Sequence, residues 1–256
     1  MAPRQSLIAC RTSSYGPFSA RAYAHLASLG VRHVEIPVPA ADAIETTAAE
    51  LREHGLTASS LHGECDVSRP DIAERIAAQM SAFASLNCRI MFTSVQRGEI
   101  APDTAFGRLR EAGDVAGEHG VTLVLETHPD LATNAEVALA TMRGVDHPHV
   151  RLNFDTANIY FYNRDVDCVE QLRDVASYVA AVHLKDTDGG YRHWHFPALG
   201  EGIVDFARVF HVLDEAGFHG PCTLEIEGVE GEEKTEQLVL DRIAASVEHL
   251  RELGRI

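Results

Sequence analysis

Short apolar, β-branched runs alternate along the chain with longer stretches whose apolar residues recur every three or four positions. The runs are Leu7–Cys10, Val31–Val38, Leu56–Leu61, Arg89–Val95, Val121–Leu125, Val150–Phe154, Val179–Leu184 and Cys222–Ile226. The stretches after them predict helices over Ser19–Leu29, residues 42–54, from Pro70, through Leu109 to Ala116, from Asn134, from Asp165, over Phe206–Ala216, and through Leu240, Ile243, Val247 and Leu250. The third stretch puts Ile72, Ile76, Met80 and Phe83 on one face, as a single amphipathic helix would.

Strands that alternate with helices predict βαβ units and a parallel sheet. Eight units in 256 residues, about 32 residues each, match the usual length of a closed eight-fold barrel. The expected architecture is therefore α/β, a single (β/α)₈ TIM barrel over residues 1–256. An open doubly wound sheet would carry a glycine-rich phosphate turn after its first strand. That turn reads Arg11-Thr12-Ser13-Ser14-Tyr15-Gly16 and carries no such fingerprint. The long irregular stretch from Thr187 to Val204 follows the seventh strand, and βα loops of this kind tend to shape an active site.

Composition narrows the function classes. A formal charge of −16 repels phosphate backbones and anionic lipid, so neither nucleic acid nor a membrane is an expected partner. Five scattered cysteines without a C-x-x-C pair are expected to be reduced thiols in a cytoplasmic protein. The first residues lack the apolar run of a signal peptide, and no stretch has the length of a membrane span.

In a barrel the chemistry lies at the C-terminal ends of the strands. The fifth run ends at Glu126, the sixth at Asp155, the seventh around His183 and the eighth at Glu225. Glu126 and Asp155 are 29 residues apart, and Asp155 and His183 are 28 apart, each about one βα unit. The 42 residues from His183 to Glu225 include the long loop. Three carboxylates and one imidazole make a mostly hard donor set that suits a divalent cation. Mn²⁺ is the expected ion, with Mg²⁺, Co²⁺ or Zn²⁺ as alternatives. Glu126 and Glu225 close strands three positions apart in a ring of eight, so they should face each other across a substrate. Such a pair can move a proton on and off a carbon next to a carbonyl.

Other side chains point to the same rim. His62 closes the third run, as a substrate contact or as a hydrogen-bonded structural histidine. Lys185 shares a face with His183 and could neutralise a substrate oxyanion or pair with a site carboxylate. His193 and His195 flank Trp194 in the long loop, either closing over substrate or lying on the surface. Glu35 ends the second run and would bind a hydroxyl or cap a helix. Gly200-Glu201-Gly202 reads as a turn.

The segments Leu125-Glu126-Thr127-His128, Asn153-Phe154-Asp155-Thr156-Ala157-Asn158, Val182-His183-Leu184-Lys185-Asp186, Leu199-Gly200-Glu201-Gly202 and Leu224-Glu225-Ile226-Glu227 together resemble the xylose-isomerase-like barrel superfamily. That group contains sugar isomerases, epimerases and related lyases. The resemblance implies metal ligands at Glu126, Asp155, His183 and Glu225, with the two glutamates as acid and base. It also implies a small carbohydrate substrate and leaves a homodimer or homotetramer open. The family often has histidine three residues after the metal aspartate. Asn158 stands there in this chain, as a different substrate contact. The resemblance favours an isomerase or epimerase working through an enediolate. The alternative is a lyase that dehydrates an inosose or dehydroshikimate-type compound, or cleaves a 3-keto-glycoside.

Overall fold

The computed structural model describes residues 7–256. Its strands are β1 (Leu7–Arg11), β2 (His33–Pro37), β3 (Thr57–His62), β4 (Ile90–Thr93), β5 (Thr122–Glu126), β6 (Val150–Asp155), β7 (Val179–Leu184), β8 (His195–Phe196), β9 (Pro221–Leu224) and β10 (Gly228–Val229). Seven consecutive strands, β1 to β7, and then β9 close a parallel barrel, with β9 pairing back onto β1. This is the (β/α)₈ barrel that the alternation predicts.

Side chains alternate across each barrel strand, and the two faces do different work. Leu123 and Leu125 of β5, Leu152 and Phe154 of β6, Val182 and Leu184 of β7, and Cys222 and Leu224 of β9 join the large apolar cluster beneath the helices. Phe92, Val124 and Ala181 form a separate small cluster. Val124 and Glu126 are two apart on β5, and Ala181 and His183 are two apart on β7. The same alternation that buries leucines outward thus aims Glu126, Asp155, His183 and Glu225 at the barrel mouth.

The helices differ from expectation in three places. The first is not one helix over Ser19–Leu29. Short 3₁₀ turns cover Thr12–Arg21 before an α-helix over Ala22–Ser28. Gly16 stands inside those turns at φ 55°, ψ −126°, a conformation that suits glycine. The stretch from Pro70 divides into Ile72–Ala77 and Met80–Ser85. At the break Gln79 N donates to Ile76 O and Ala82 N to Gln79 O, both tight i→i−3 bonds. The Gln79 amide turns to the backbone of Glu64 and Arg75. Ile72, Ile76, Met80 and Phe83 stay buried across the break. After β6 a short helix, Asn158–Tyr162, precedes Cys168–Val175, which Asp167 caps at Glu170 N.

The long loop is not wholly irregular either. β8 within it pairs antiparallel with β10, Phe196 opposite Gly228 and His195 opposite Val229. Asp186 anchors the rest. Its buried carboxylate accepts the backbone N–H groups of Thr187 (2.9 Å), Gly200 (2.8 Å), Gly202 (2.9 Å) and Val204 (3.1 Å). A Cβ on Gly202 would lie 2.3 Å from Asp186 Oδ1, so the turn approaches this closely only with glycine. All five cysteines are buried. Among the described residues no helix is long and apolar enough to cross a membrane.

Candidate active site

Glu126 at the end of β5 pairs with Asn153, two residues before Asp155 ends β6, and Asp155 pairs with His183 of β7, so the three strands close at one rim. Glu225 follows β9, its N–H donating to Leu184 O at 3.0 Å. Glu126, Asp155, His183 and Glu225 are all buried, and one ligand atom from each lies within 4.8 Å of the others. The structure therefore brings together the four residues singled out from the sequence.

The two oxygens of Asp155 have different surroundings. Oδ1 accepts the N–H groups of Ala157 and Asn158, both at 2.8 Å, and so caps the short helix after β6. Oδ2 is buried with no hydrogen-bond partner. Burial pushes this carboxyl up to about 7, although Lys185 opposes the shift. A buried orphan oxygen among two further carboxylates and an imidazole is what a cation site leaves when its protein ligands alone are considered.

His183 is held from both edges. Nε2 lies 3.2 Å from Glu35 Oε2, and Nδ1 lies 3.1 Å from Glu225 Oε2 and 3.8 Å from Glu126 Oε1. Its ring packs against Phe92 with centroids 4.4 Å apart. Burial would lower its pKa, but the charges of Glu35 and Glu225 hold it well above the usual histidine value. Glu35 caps no helix. Its Oε2 accepts the Ser60 hydroxyl at 2.7 Å, and it fixes the imidazole.

Cations line the same mouth. Lys185 is 3% exposed. It pairs with Glu227 and lies 3.6 Å from Glu225 Oε2 and 4.0 Å from Asp155 Oδ2. Burial opposes its charge, yet these three carboxylates keep its pKa above the ordinary lysine value. The ammonium sits 4.2 Å from the centroid of Phe196. Asn158 accepts from Lys185 Nζ at 3.3 Å and donates to Glu126 Oε1 at 3.5 Å, bridging the two. Ser94 Oγ donates to Glu126 Oε2.

Arg11, at the end of β1, was not singled out in the sequence. Its guanidinium pairs with Glu225, lies 3.4 Å from Glu35 and reaches His62 Nδ1 at 3.1 Å. Its signal was present: β1 ends on the same rim as the other strands. His62 lines a cleft of about 590 Å³ with Thr93, Ser94, Gln96 and His128. A second cleft of about 250 Å³, on the β9 side, is lined by Arg11, Ser14, Trp194, Glu225 and Glu227. Trp194 packs edge-on to Phe161 and Phe196, whereas His195 groups with Asp188 and His193 on the loop.

Residues 23–253 match the model of the xylose isomerase-like TIM barrel family. The chain belongs to that family. Among its curated relatives is the L-ribulose-5-phosphate 3-epimerase of Salmonella paratyphi A, 33% identical over 121 residues. That match spans 46% of this chain and 40% of the relative. Solved structures of other proteins superpose over almost the whole chain. D-allulose 3-epimerase from Methylomonas sp., solved with D-allulose, gives a TM-score of 0.74 at 19% identity, covering 99% of this chain and 98% of the other. The probable 3-DHS dehydratase of Bacillus anthracis gives 0.74 at 17% identity, covering 95% and 98%. At such identities these two establish the shared fold.

Proposed function

We propose that the chain is a sugar epimerase or isomerase, most closely a ketose 3-epimerase, dependent on a divalent cation at Glu126, Asp155, His183 and Glu225. The observation that carries this reading is the convergence of those four buried donors at one end of the barrel, with the orphan oxygen of Asp155 among them. The names of the relatives, a ribulose-phosphate epimerase and an allulose epimerase, supply the substrate class. Mn²⁺ suits three carboxylates and one imidazole, as do Mg²⁺ and Co²⁺.

A divalent cation bound there supplies polarisation of the substrate carbonyl and charge compensation for the enediolate. The chain supplies the rest. Of Glu126 and Glu225, on opposed strands, one takes a proton from the carbon beside the carbonyl and the other delivers a second, solvent-derived proton to the opposite face. Arg11 and Lys185 keep Glu225 ionised: burial opposes its charge, but Lys185, His183 and Arg11 hold its carboxyl well below the usual range. The Lys185 ammonium is placed to donate a hydrogen bond to a developing oxyanion. His62 and Asn158 offer contacts for sugar hydroxyls, and Trp194 with Phe196 shields the reacting carbon from water.

A second reading shares the first proton transfer and ends in loss of water, as in the dehydratase of the same fold. Lys185 is the observation that favours it, because a buried ammonium beside Glu225 could assist a departing hydroxyl. Product mass separates the two, since epimerisation conserves it. Metal dependence is tested by dialysis against EDTA and reconstitution. Epimerisation of free and 5-phosphorylated ketoses should disappear and return with Mn²⁺. Full activity in the metal-depleted protein would overturn the assignment.

A further inference from the structure

A second donor cluster stands on the loop after β7. Asp188, His193 and His195 each offer one ligand atom, and those atoms lie within 4.8 Å of one another. None of them belongs to the barrel-mouth cluster. His193 Nδ1 lies 2.6 Å from Asp188 Oδ2. The two imidazoles stack with centroids 5.7 Å apart and planes 24° from parallel, so an ion at their shared edge can meet one nitrogen from each.

The backbone builds this arrangement. Gly190 N donates to Asp188 Oδ1 at 2.9 Å and leaves Oδ2 to face the imidazole. His193 N donates to Gly190 O and closes the turn. A Cβ on Gly190 would stand 2.6 Å from the His193 Cβ and 3.1 Å from Asp188 Oδ1, so the turn reaches the cluster only with glycine there. His195 is fixed independently by its pairing with Val229. The His195 N–H donates to His193 O at 2.9 Å, a tight turn about Trp194 that brings the two histidines together. The side chains of Asp188 and His193 are 38% and 51% exposed, so an ion reaches them without entering the barrel.

The donor chemistry differs from that of the barrel mouth. Two imidazole nitrogens and one carboxylate oxygen suit Zn²⁺ and its neighbours, whereas three carboxylates and one imidazole suit Mn²⁺ or Mg²⁺. Metal–donor bonds of about 2.0 Å put adjacent tetrahedral donors about 3.3 Å apart, within the reach of this cluster. We infer that Asp188, His193 and His195 form a second, surface cation site of the Zn²⁺ type that fastens the loop beside the barrel mouth. The fastened segment carries Trp194 between the two histidines, and Trp194 and Phe196 pack over the approach to Lys185.

Trp194 is the chain's single tryptophan, so quenching of its fluorescence by Ni²⁺ reports this segment. The full chain carrying Asp155→Asn, or Glu225→Gln as an alternative background, weakens the barrel-mouth site. In that background Ni²⁺ should still quench, at micromolar concentration and one equivalent per chain. Adding His193→Gln with His195→Gln, or Asp188→Asn alone, should raise the midpoint at least tenfold. Zn²⁺ should compete for the same equivalent. A midpoint unchanged by the loop substitutions, or one above a millimolar as for an adventitious ion only, would overturn the inference. Neither outcome depends on the proposed epimerase reaction.

Discussion

Nε2 of His183 lies 3.2 Å from Oε2 of Glu35, and both side chains are almost fully buried. Glu35 is in turn fixed by the Ser60 hydroxyl. This contact commits Nε2 to a carboxylate and turns Nδ1 towards Glu225 and Glu126. A carboxylate behind a ligating imidazole fixes its tautomer and raises its basicity. Glu35→Ala is therefore expected to weaken Mn²⁺ binding about 10- to 100-fold. Glu35→Gln, which keeps the shape, should cost less. Isothermal titration of the metal-free protein reads both, and equal affinity in Glu35→Ala would remove this role.

Asp186 governs the loop after β7 by accepting four backbone N–H groups. Asp186→Ala strands the N–H groups of Thr187 and Val204 in a buried place and frees those of Gly200 and Gly202 nearer the surface. Each unsatisfied donor costs about 1–3 kcal/mol, so urea unfolding should show a loss of several kcal/mol. Gly202→Ala should also destabilise, because its Cβ meets Asp186 and Thr187 O, each at 2.3 Å. Wild-type midpoints in both variants would contradict the description of this loop.

His25 and His33 are each pushed below the ordinary histidine pKa of 6.5, chiefly by burial. The folded chain thus resists a proton that the unfolded chain accepts. Their contribution is fully present above pH 6.5 and is lost as the pH falls below it. Denaturant midpoints should drop between about pH 7.5 and 5.5, and the drop should shrink when both residues are replaced by glutamine. An unchanged drop in the double variant would assign it to other groups.

The barrel and its four convergent donors were legible because both follow from strand period. A run that buries Leu123 and Leu125 outward must send Val124 and Glu126 inward, whatever the rest of the chain does. The pairing of Arg11 with Glu225 and the role of Glu35 were not legible. The first depends on β9 closing onto β1 and the second on β2 facing β7 across the barrel interior, relationships with no trace in local spacing. The break at Gln79 escaped periodicity because the apolar face continues through it, while a side-chain amide claims backbone groups elsewhere. The β8–β10 ladder joins only two residues on each side, too few to leave a pattern in the sequence.

In the proposed reaction Glu126 and Glu225 carry out the proton transfer beside a substrate carbonyl. Proton NMR of the Mn²⁺-loaded chain turning over a ketose in D₂O tests it most directly. The prediction is an epimerised product carrying one deuterium at the inverted carbon, with turnover abolished in Glu126→Gln and Glu225→Gln proteins that still fold. Product formed with complete retention of the original carbon-bound hydrogen, or wild-type rates in either variant, would contradict the account.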